Sequence, residues 1–471
     1  MRNQSGRNRK RCSNYSEFAE RLRRIIKIRG VSYKSLEVAA QITDRSRRAY
    51  MAGRSYPKPG TMARLASALG VTAAQLENPE AFSELMYRLA VAFDELTFEQ
   101  MFEVLQDLDT ELLKWIRSTR LNDQEIITRG YNDLLRGTLT DKGIDLPGFL
   151  NRIHDRNFIK RLLNSLPTKP RLEVVVGNNF DRIDFFHDGS LLLPMAEPKL
   201  LWDCCCQSGP DPSPSCRIHS HPMGNKVKEL FNTGLVEIKW RGMTFLWRQC
   251  DVLWPPSVDS FFLMECLQNS GATQAEVQSV LDIGSGTGFL GIALAKLNPN
   301  IKRVVLSDWL LTPALFGQLN SRINDLHKRG VAVNSQVAIY TQPSKPNEGP
   351  FDLVVCNPPY LPCLAGFEQA GIESTVFGTD LLEHVIQMAK MLGKQVYIQY
   401  SHLARIEAER AARSAGATLK VIGTKPDVPF RVSHAIARPK YIERLVHERK
   451  LKRSRKTGHR YFHDLLVCRV V

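Results

Sequence analysis

The feature that most constrains the fold is an apolar run, Val280 to Ile283, that passes directly into Gly284-Ser285-Gly286-Thr287-Gly288 and then into further apolar residues. Without a Cβ, glycine turns the chain through positive φ and lets a ligand lie against backbone N–H groups at the start of the next helix. A strand, a glycine turn and a helix in that order form the opening unit of a doubly wound α/β sheet. Two more apolar runs follow: Val304 to Ser307 ends on Asp308, and Val354 to Cys356 ends on Asn357-Pro358-Pro359-Tyr360.

The glycine segment alone is ambiguous. Gly286-Thr287-Gly288-Phe289-Leu290-Gly291 also fits the dinucleotide fingerprint, and Asp308 lies 20 residues after Gly288, where an acid can hold the ribose hydroxyls of a nicotinamide dinucleotide or of S-adenosylmethionine. Asn357 to Tyr360 separates the two readings. A hydride-transfer domain has no use for a second polar and aromatic constellation at its fourth strand end, whereas an N-methyltransferase needs one.

With both motifs in place, the span from about Val252 to Val471 resembles the class I S-adenosylmethionine-dependent methyltransferases, in the Asn-Pro-Pro-Tyr branch. That branch holds release-factor glutamine, guanine-N2 ribosomal RNA and N6-adenine methyltransferases. The resemblance implies a Rossmann-like domain in which Asp282, Gly284, Gly286 and Gly288 hold the cofactor and Asp308 grips its ribose. It further implies that Asn357, Pro358, Pro359 and Tyr360 meet the methyl acceptor.

The composition of that second motif suits its task. An amide or aromatic amino nitrogen is a poor nucleophile because its lone pair is delocalised, so it must be oriented. An Asn side-chain oxygen and the carbonyl of Pro358 can accept its N–H bonds, and Tyr360 offers a flat face to a planar group. No strong base is needed before attack, because the nitrogen sheds its proton during or after methyl transfer. A proline-rich turn closing a strand is the plain alternative.

Within the branch the acceptor stays open. Trp254 to Ser260 looks like a degenerate form of the Pro-Arg-x-x-Thr-Glu segment of the glutamine enzymes, without the Arg and the Thr-Glu pair. Val376-Phe377-Gly378-Thr379-Asp380-Leu381 resembles their Gly-Gly-x-Asp-Gly-Leu stretch incompletely. A third strand expected near Val337 to Tyr340 ends in Thr341-Gln342 instead of an acid.

An independent signal occupies Phe18 to Leu76, where the spacing predicts five short helices. Phe18, Leu22 and Ile25-Ile26 recur at helical intervals, Ser32 and Thr43 are placed to cap helices, and Thr72 with Gln75 fits a capping box. The order of the helices resembles a helix-turn-helix of the Cro and phage-repressor type. That resemblance implies a DNA-reading helix carrying Arg45, Ser46, Arg47 and Arg48, with Arg54 on phosphate. A solvated basic face, or a protein-binding helix-turn-helix, would look the same in sequence.

Charge agrees with a nucleic-acid partner. There are 64 Lys and Arg against 48 Asp and Glu, a net +16 and a pI near 9.4, which favours polyanions through counterion release. Basic residues crowd Arg2 to Arg11 and Arg449 to Arg460, the latter as an expected hairpin before the last strand. No apolar stretch approaches membrane-spanning length and no signal-like h-region opens the chain, so the expected location is cytoplasmic.

Of ten cysteines, Cys250, Cys266, Cys356 and Cys468 sit in apparent core segments and read as small buried hydrophobes. Cys204-Cys205-Cys206, Cys216, His219 and His221 include a ligand-like Cys-x-x-His, but three adjacent cysteines suit one ion poorly, and no metal is assigned.

The chain is therefore expected to be multidomain: an all-α helix-turn-helix domain (14–78), a helical connector (81–166), a small strand-containing substrate or connector region (171–250) and a doubly wound methyltransferase domain (252–471). The expected reaction is methyl transfer from S-adenosylmethionine to an amide or exocyclic amino nitrogen of protein or nucleic acid. A DNA N6-adenine methyltransferase and a regulator that senses S-adenosylmethionine without turnover are the alternatives.

Overall fold

The computed structural model describes residues 15, 17–23, 25–26, 31–69, 71, 73–77, 101–102, 105–106, 109, 151–167, 169–178, 183–195, 223–250, 253, 255–274, 276–337, 350–362, 364, 379–430, 439–453 and 461–471. They fall into two compact units, one formed by Met1–Leu112 with Asp133–Arg152 and the other by Leu113–Asn132 with Ile153–Val471.

In the first unit, every described residue from 15 to 26 is helical, followed by α1 (Tyr33–Ala39), α2 (Asp44–Met51), α3 (Pro59–Ala68) and α4 (Ala73–Glu77). The expected caps form: Ser32 Oγ accepts from Ser35 N–H and Thr43 Oγ1 from Ser46 N–H, both at 3.1 Å. Pro59 opens α3, where its missing N–H costs nothing. Phe18, Leu22, Leu36, Met62, Leu65 and Leu76 close the core, and Arg21 Nε crosses it to the Leu76 carbonyl at 3.2 Å. Thr72 and most of the expected connector lie outside the described residues.

The second unit begins with α5 (Arg156–Ser165), whose Asp155 caps Phe158 N–H at 2.7 Å. A five-stranded sheet follows, ordered β3-β2-β1-β4-β5, from β1 (Leu172–Val176), β2 (Ile183–His187), β3 (Ser190–Met195), β4 (Leu235–Trp240) and β5 (Met243–Arg248), with α6 (Gly224–Thr233) before β4. Within the strand-containing region expected over 171–250, β2–β3 and β4–β5 are each hairpins. Asp188-Gly189 and Arg241-Gly242 take positive φ at both positions, the geometry that matches the twist of two antiparallel strands.

The remaining strands build a larger sheet ordered β11-β13-β10-β9-β6-β7-β8. These are β6 (Ser279–Ile283), β7 (Arg303–Asp308), β8 (Ala332–Val337), β9 (Leu353–Cys356), β10 (Val396–Ser401), β11 (Leu419–Pro429) and β13 (Tyr461–Val470), with short β12 (Lys452–Arg453) on β13. The five strands from β8 to β10 are parallel, whereas β13 and β11 are antiparallel to their neighbours. The third strand is described over Ala332–Val337 and reaches the first residue of its expected place at 337–340; residues 338–349 are outside the described residues. Strand order reverses between β6 and β9, which opens the crevice where ligands bind in doubly wound sheets.

Helices cover both faces: α7 (Val258–Asn269), α8 (Phe289–Leu297) and α9 (Leu311–Ile323) precede β6, β7 and β8, and α10 (Asp380–Leu392), α11 (Arg405–Ser414) and α12 (Pro439–Arg449) follow β9. Alternate residues of each strand feed opposite cores. Val280, Val304, Leu353 and Val355 join one with α7 and α8, while Leu281, Val305, Val354 and Cys356 join another with α10 and α11. Strands buried on both sides read as continuous apolar runs, which is why they are visible in the sequence. The small sheet shares the first core, through Trp240 on Phe261 (5.3 Å between centroids) and Phe245 and Trp247 on Phe289 (5.3 and 5.5 Å).

Candidate functional site

The glycine turn sits at the carboxyl end of β6, where Ile283 is in register with Ser307 on one side and Cys356 on the other. Gly284, Asp308 and Asn357 thus leave the sheet side by side. The turn is tied to β7 by its backbone, since Gly284 and Ser285 N–H donate to the Ser307 carbonyl at 2.9 and 3.1 Å.

Gly284, Gly286 and Gly288 have φ of +67°, +52° and +87°. Their surroundings differ in a telling way. A Cβ on Gly288 would come within 2.8 Å of Leu306 Cδ1 and 3.2 Å of Gly317 Cα, and one on Gly291 within 2.6 Å of Leu306 Cδ2, so these two permit α8 to lie tight on the sheet. A Cβ on Gly286 would meet nothing within 4 Å. Gly286 therefore faces open space over the crevice, where a ligand can approach the backbone.

Two buried carboxylates flank the turn. Asp282 is 1% exposed; its Oδ2 accepts from Gly291 N–H in the first turn of α8 at 2.9 Å, while Oδ1 has no partner among the described residues. Burial pushes its carboxyl up to about 7, against the opposing pull of the Gly291 bond, and the nearby Asp308 adds a smaller upward push. Asp308 ends β7 and accepts from Gly286 N–H at 2.9 Å and Trp309 N–H at 2.8 Å; burial raises it too, with these backbone donors opposing. Two buried acids beside an open glycine turn suit a ligand bearing hydroxyls.

Asn357, Pro358, Pro359 and Tyr360 continue from β9. Pro358 is buried, Pro359 exposed, and Asn357 and Tyr360 half-buried, so the motif forms one wall of the same crevice. Gln399 of β10 donates through Nε2 to Asn357 Oδ1 at 3.3 Å. The Tyr360 hydroxyl donates to Asp259 Oδ2 at 2.5 Å, and its ring lies 5.8 Å from that of His463, which meets Ser401 Oγ at 2.8 Å.

Sequence reasoning missed three residues here. Asn320, fully buried in α9, donates to the Thr287 and Arg248 carbonyls, both at 3.1 Å, and accepts from Arg248 N–H at 2.8 Å, clamping the glycine turn to β5. Gln399 is another, and the third is Asp259, which lies in the segment Trp254 to Ser260 noted above but whose contact with Tyr360 was not anticipated. Each partner lies at least 33 positions away in the chain, so no local pattern reveals them; a lone Gln inside the buried run Val396 to Tyr400 was the one available hint.

On α2 of the first unit, Arg45, Arg48 and, beyond the helix, Arg54 are exposed, and Ser46 is held by the Thr43 cap. Arg47 departs from the expected groove-facing placement. It is 9% exposed, pairs with Glu37 Oε1 at 2.6 Å and with Asp44, and lies 4.4 Å over the Tyr33 ring, because it closes the α1–α2 contact. The Cys204–His221 cluster lies outside the described residues; among those described no group of three His, Cys, Asp or Glu could hold a metal ion, and Cys250, Cys266, Cys356 and Cys468 are buried. No described helix is long and apolar enough to cross a membrane.

Residues 257–371 match the Methyltransferase small domain family. The chain is 34% identical over 99 residues to a release factor glutamine methyltransferase of Chlorobaculum tepidum, covering 21% of this chain and 33% of that protein. It is 30% identical over 94 residues to a tRNA1(Val) (adenine(37)-N6)-methyltransferase of Aeromonas hydrophila, covering 20% and 37%. The chain thus spans about a third of the length of these curated relatives. Among solved structures, a geranyl diphosphate C-methyltransferase from Streptomyces coelicolor A3(2), in complex with S-adenosyl-L-homocysteine, covers 44% of this chain and 77% of its own at 13% identity and a TM-score of 0.28. The span 257–371 is thus similar to methyltransferase domains.

Proposed function

We propose that this chain is an S-adenosylmethionine-dependent N-methyltransferase whose acceptor is a planar amide or exocyclic amino nitrogen. The observation that carries the reading is the adjacency of two motifs 73 residues apart in sequence, placed side by side by the Ile283–Cys356 register. The crevice fits the cofactor: Gly286 leaves room over the turn, Asp308 can accept from ribose hydroxyls, and Asp282 offers an unpartnered buried oxygen beneath. When bound, S-adenosylmethionine supplies an electrophilic methyl on a sulfonium sulfur.

The chain's own residues then do the positioning. Asn357 Oδ1 and the Pro358 carbonyl accept the N–H bonds of the acceptor and aim its lone pair, Tyr360 covers its flat face, and Pro359 stiffens the turn. No described group needs to act as a strong base, because the methylated nitrogen becomes acidic and releases its proton to solvent.

In the first unit, we read α1 and α2 as a helix-turn-helix that delivers the enzyme to DNA through Arg45, Arg48 and Arg54, with Ser46 at the helix start and Arg47 as an internal brace. Exposed arginines on a capped helix and the net charge of +16 support this.

Transfer of labelled methyl from S-adenosylmethionine into cell extract tests the reading, with Asn357→Ala as control. Label that disappears on nuclease treatment identifies a nucleic-acid base, and label lost to protease identifies a protein amide. Undiminished transfer by Asn357→Ala to every acceptor would refute the positioning role.

A further inference from the structure

We propose that Gln399 is a positioning residue that fixes the orientation of the Asn357 amide; this rests on the acceptor role given to Asn357 above. Gln399 sits in β10 between Ile398 and Tyr400, in a strand buried along its whole length, and is itself 0% exposed. An apolar side chain would satisfy that environment better. Instead, Gln399 donates to Asn357 Oδ1 at 3.3 Å, and its own Oε1 is buried without a partner among the described residues. A buried polar group left half satisfied lowers stability, and such groups persist where they serve a site.

The chemistry explains what the bond does. An Asn side chain can present either its oxygen or its NH2 group to a given direction, the two related by a half-turn about its last torsion, with little intrinsic preference. A planar nitrogen that must be held through its own N–H bonds needs the oxygen. With Gln399 Nε2 as the donor, Oδ1 is held toward β10 and the crevice, with one of its two lone pairs occupied and the other left for the acceptor. A partner that only accepts would select the opposite orientation and turn an NH2 group toward the acceptor's N–H, where two donors repel.

Gln399→Leu removes the bond and the orphan oxygen together, so the protein should still fold. It should bind S-adenosylmethionine with unchanged affinity while kcat for methyl transfer into extract falls about three- to tenfold, the worth of one neutral hydrogen bond. Gln399→Glu adds a pH readout. Ionised, the carboxylate only accepts; protonated, it donates to Oδ1, so activity relative to the parent should recover as pH falls. A flat ratio across pH, or parent-level kcat in Gln399→Leu, would overturn the proposal.

A readout independent of turnover separates failure of this inference from failure of the N-methyltransferase reading. In asparagine-15N-labelled protein, the Asn357 side-chain amide pair can be assigned by its absence in Asn357→Ala. Gln399→Leu should shift that pair and speed its exchange with solvent. If both stay unchanged, Gln399 does not position Asn357, whether or not any acceptor is methylated; if they move while the parent transfers no methyl, the enzyme reading fails and the brace stands.

Discussion

Asp282→Asn should make the second unit more stable at alkaline pH, and the gain should fade as pH falls. Asp282 is fully buried, and its carboxyl sits at about 7 against an ordinary 3.8, a difference of roughly 4 kcal/mol between its charged and neutral forms in the fold. Between those two values the folded protein holds a proton that the unfolded chain has released. Stability therefore falls as pH rises through this window, and levels off above about 7. Integrated, the penalty is roughly 2 kcal/mol at about pH 5 and roughly 4 kcal/mol at about pH 8.5.

The Asn variant carries none of this penalty at either pH. It incurs instead the cost of an NH2 group where Asp282 Oδ1 has no partner, roughly 1 to 3 kcal/mol, but that cost is the same at both pH values and cancels in the comparison. The stability of Asp282→Asn relative to the parent should thus rise by roughly 2 to 3 kcal/mol between about pH 5 and about pH 8.5. Urea unfolding of the ligand-free full chain measures it. Trp240, Trp247 and Trp309 are described in the second unit, so tryptophan fluorescence follows the relevant transition. A difference that changes by less than about 1 kcal/mol over this range would mean Asp282 is not desolvated as described.

Gly288→Ala should destabilise the same transition by about 2 to 5 kcal/mol, because its Cβ meets Leu306 and the Gly317 backbone in addition to the left-handed strain at φ +87°. Gly286→Ala, with no neighbour within 4 Å, should cost only the left-handed strain of about 1 to 2 kcal/mol, yet weaken S-adenosylmethionine binding in calorimetry. Equal loss of stability in the two would remove the distinction drawn between packing and ligand-facing glycines. Tyr360→Phe, which breaks the bond to Asp259, should lower kcat without changing cofactor affinity in a methyl-transfer assay. Arg45→Ala, Arg48→Ala and Arg54→Ala combined should flatten the salt dependence of duplex DNA binding by about 0.9 for each phosphate no longer neutralised, whereas Arg47→Ala should instead destabilise the first unit by breaking the pairs with Glu37 and Asp44. Binding titrations at several salt concentrations, beside circular dichroism, tell these apart.

What was legible in the sequence was whatever the fold demands within a few residues. The glycine turn, Asp308 and Asn357 to Tyr360 stand at strand ends because a parallel sheet buried on both faces needs apolar runs, and the runs mark their own ends. Ser32 and Thr43 were readable as caps for the same local reason. The hairpins at Asp188-Gly189 and Arg241-Gly242 were missed because apolar content hides two-residue turns that only their φ values make decisive. Arg47 was misplaced because three arginines in four positions of α2 look alike until Glu37, on another helix, selects one of them to face inward.

The residues that position the reacting groups belong to the class that local patterns cannot reveal. Asp259 and Tyr360 are 101 positions apart, Gln399 and Asn357 are 42, and Asn320 reaches Thr287 across 33. Gln399 meets Asn357 because β10 lies beside β9, and Asp259 meets Tyr360 because α7 leads into β6, the other neighbour of β9. A motif therefore marks which atoms meet the substrate, while the topology decides how firmly they are held. Fully buried polar residues, such as Gln399 in the apolar run of β10 and Asn320 in α9, mark the holding side: their burial is unfavourable unless a partner from elsewhere in the fold is being fixed in place.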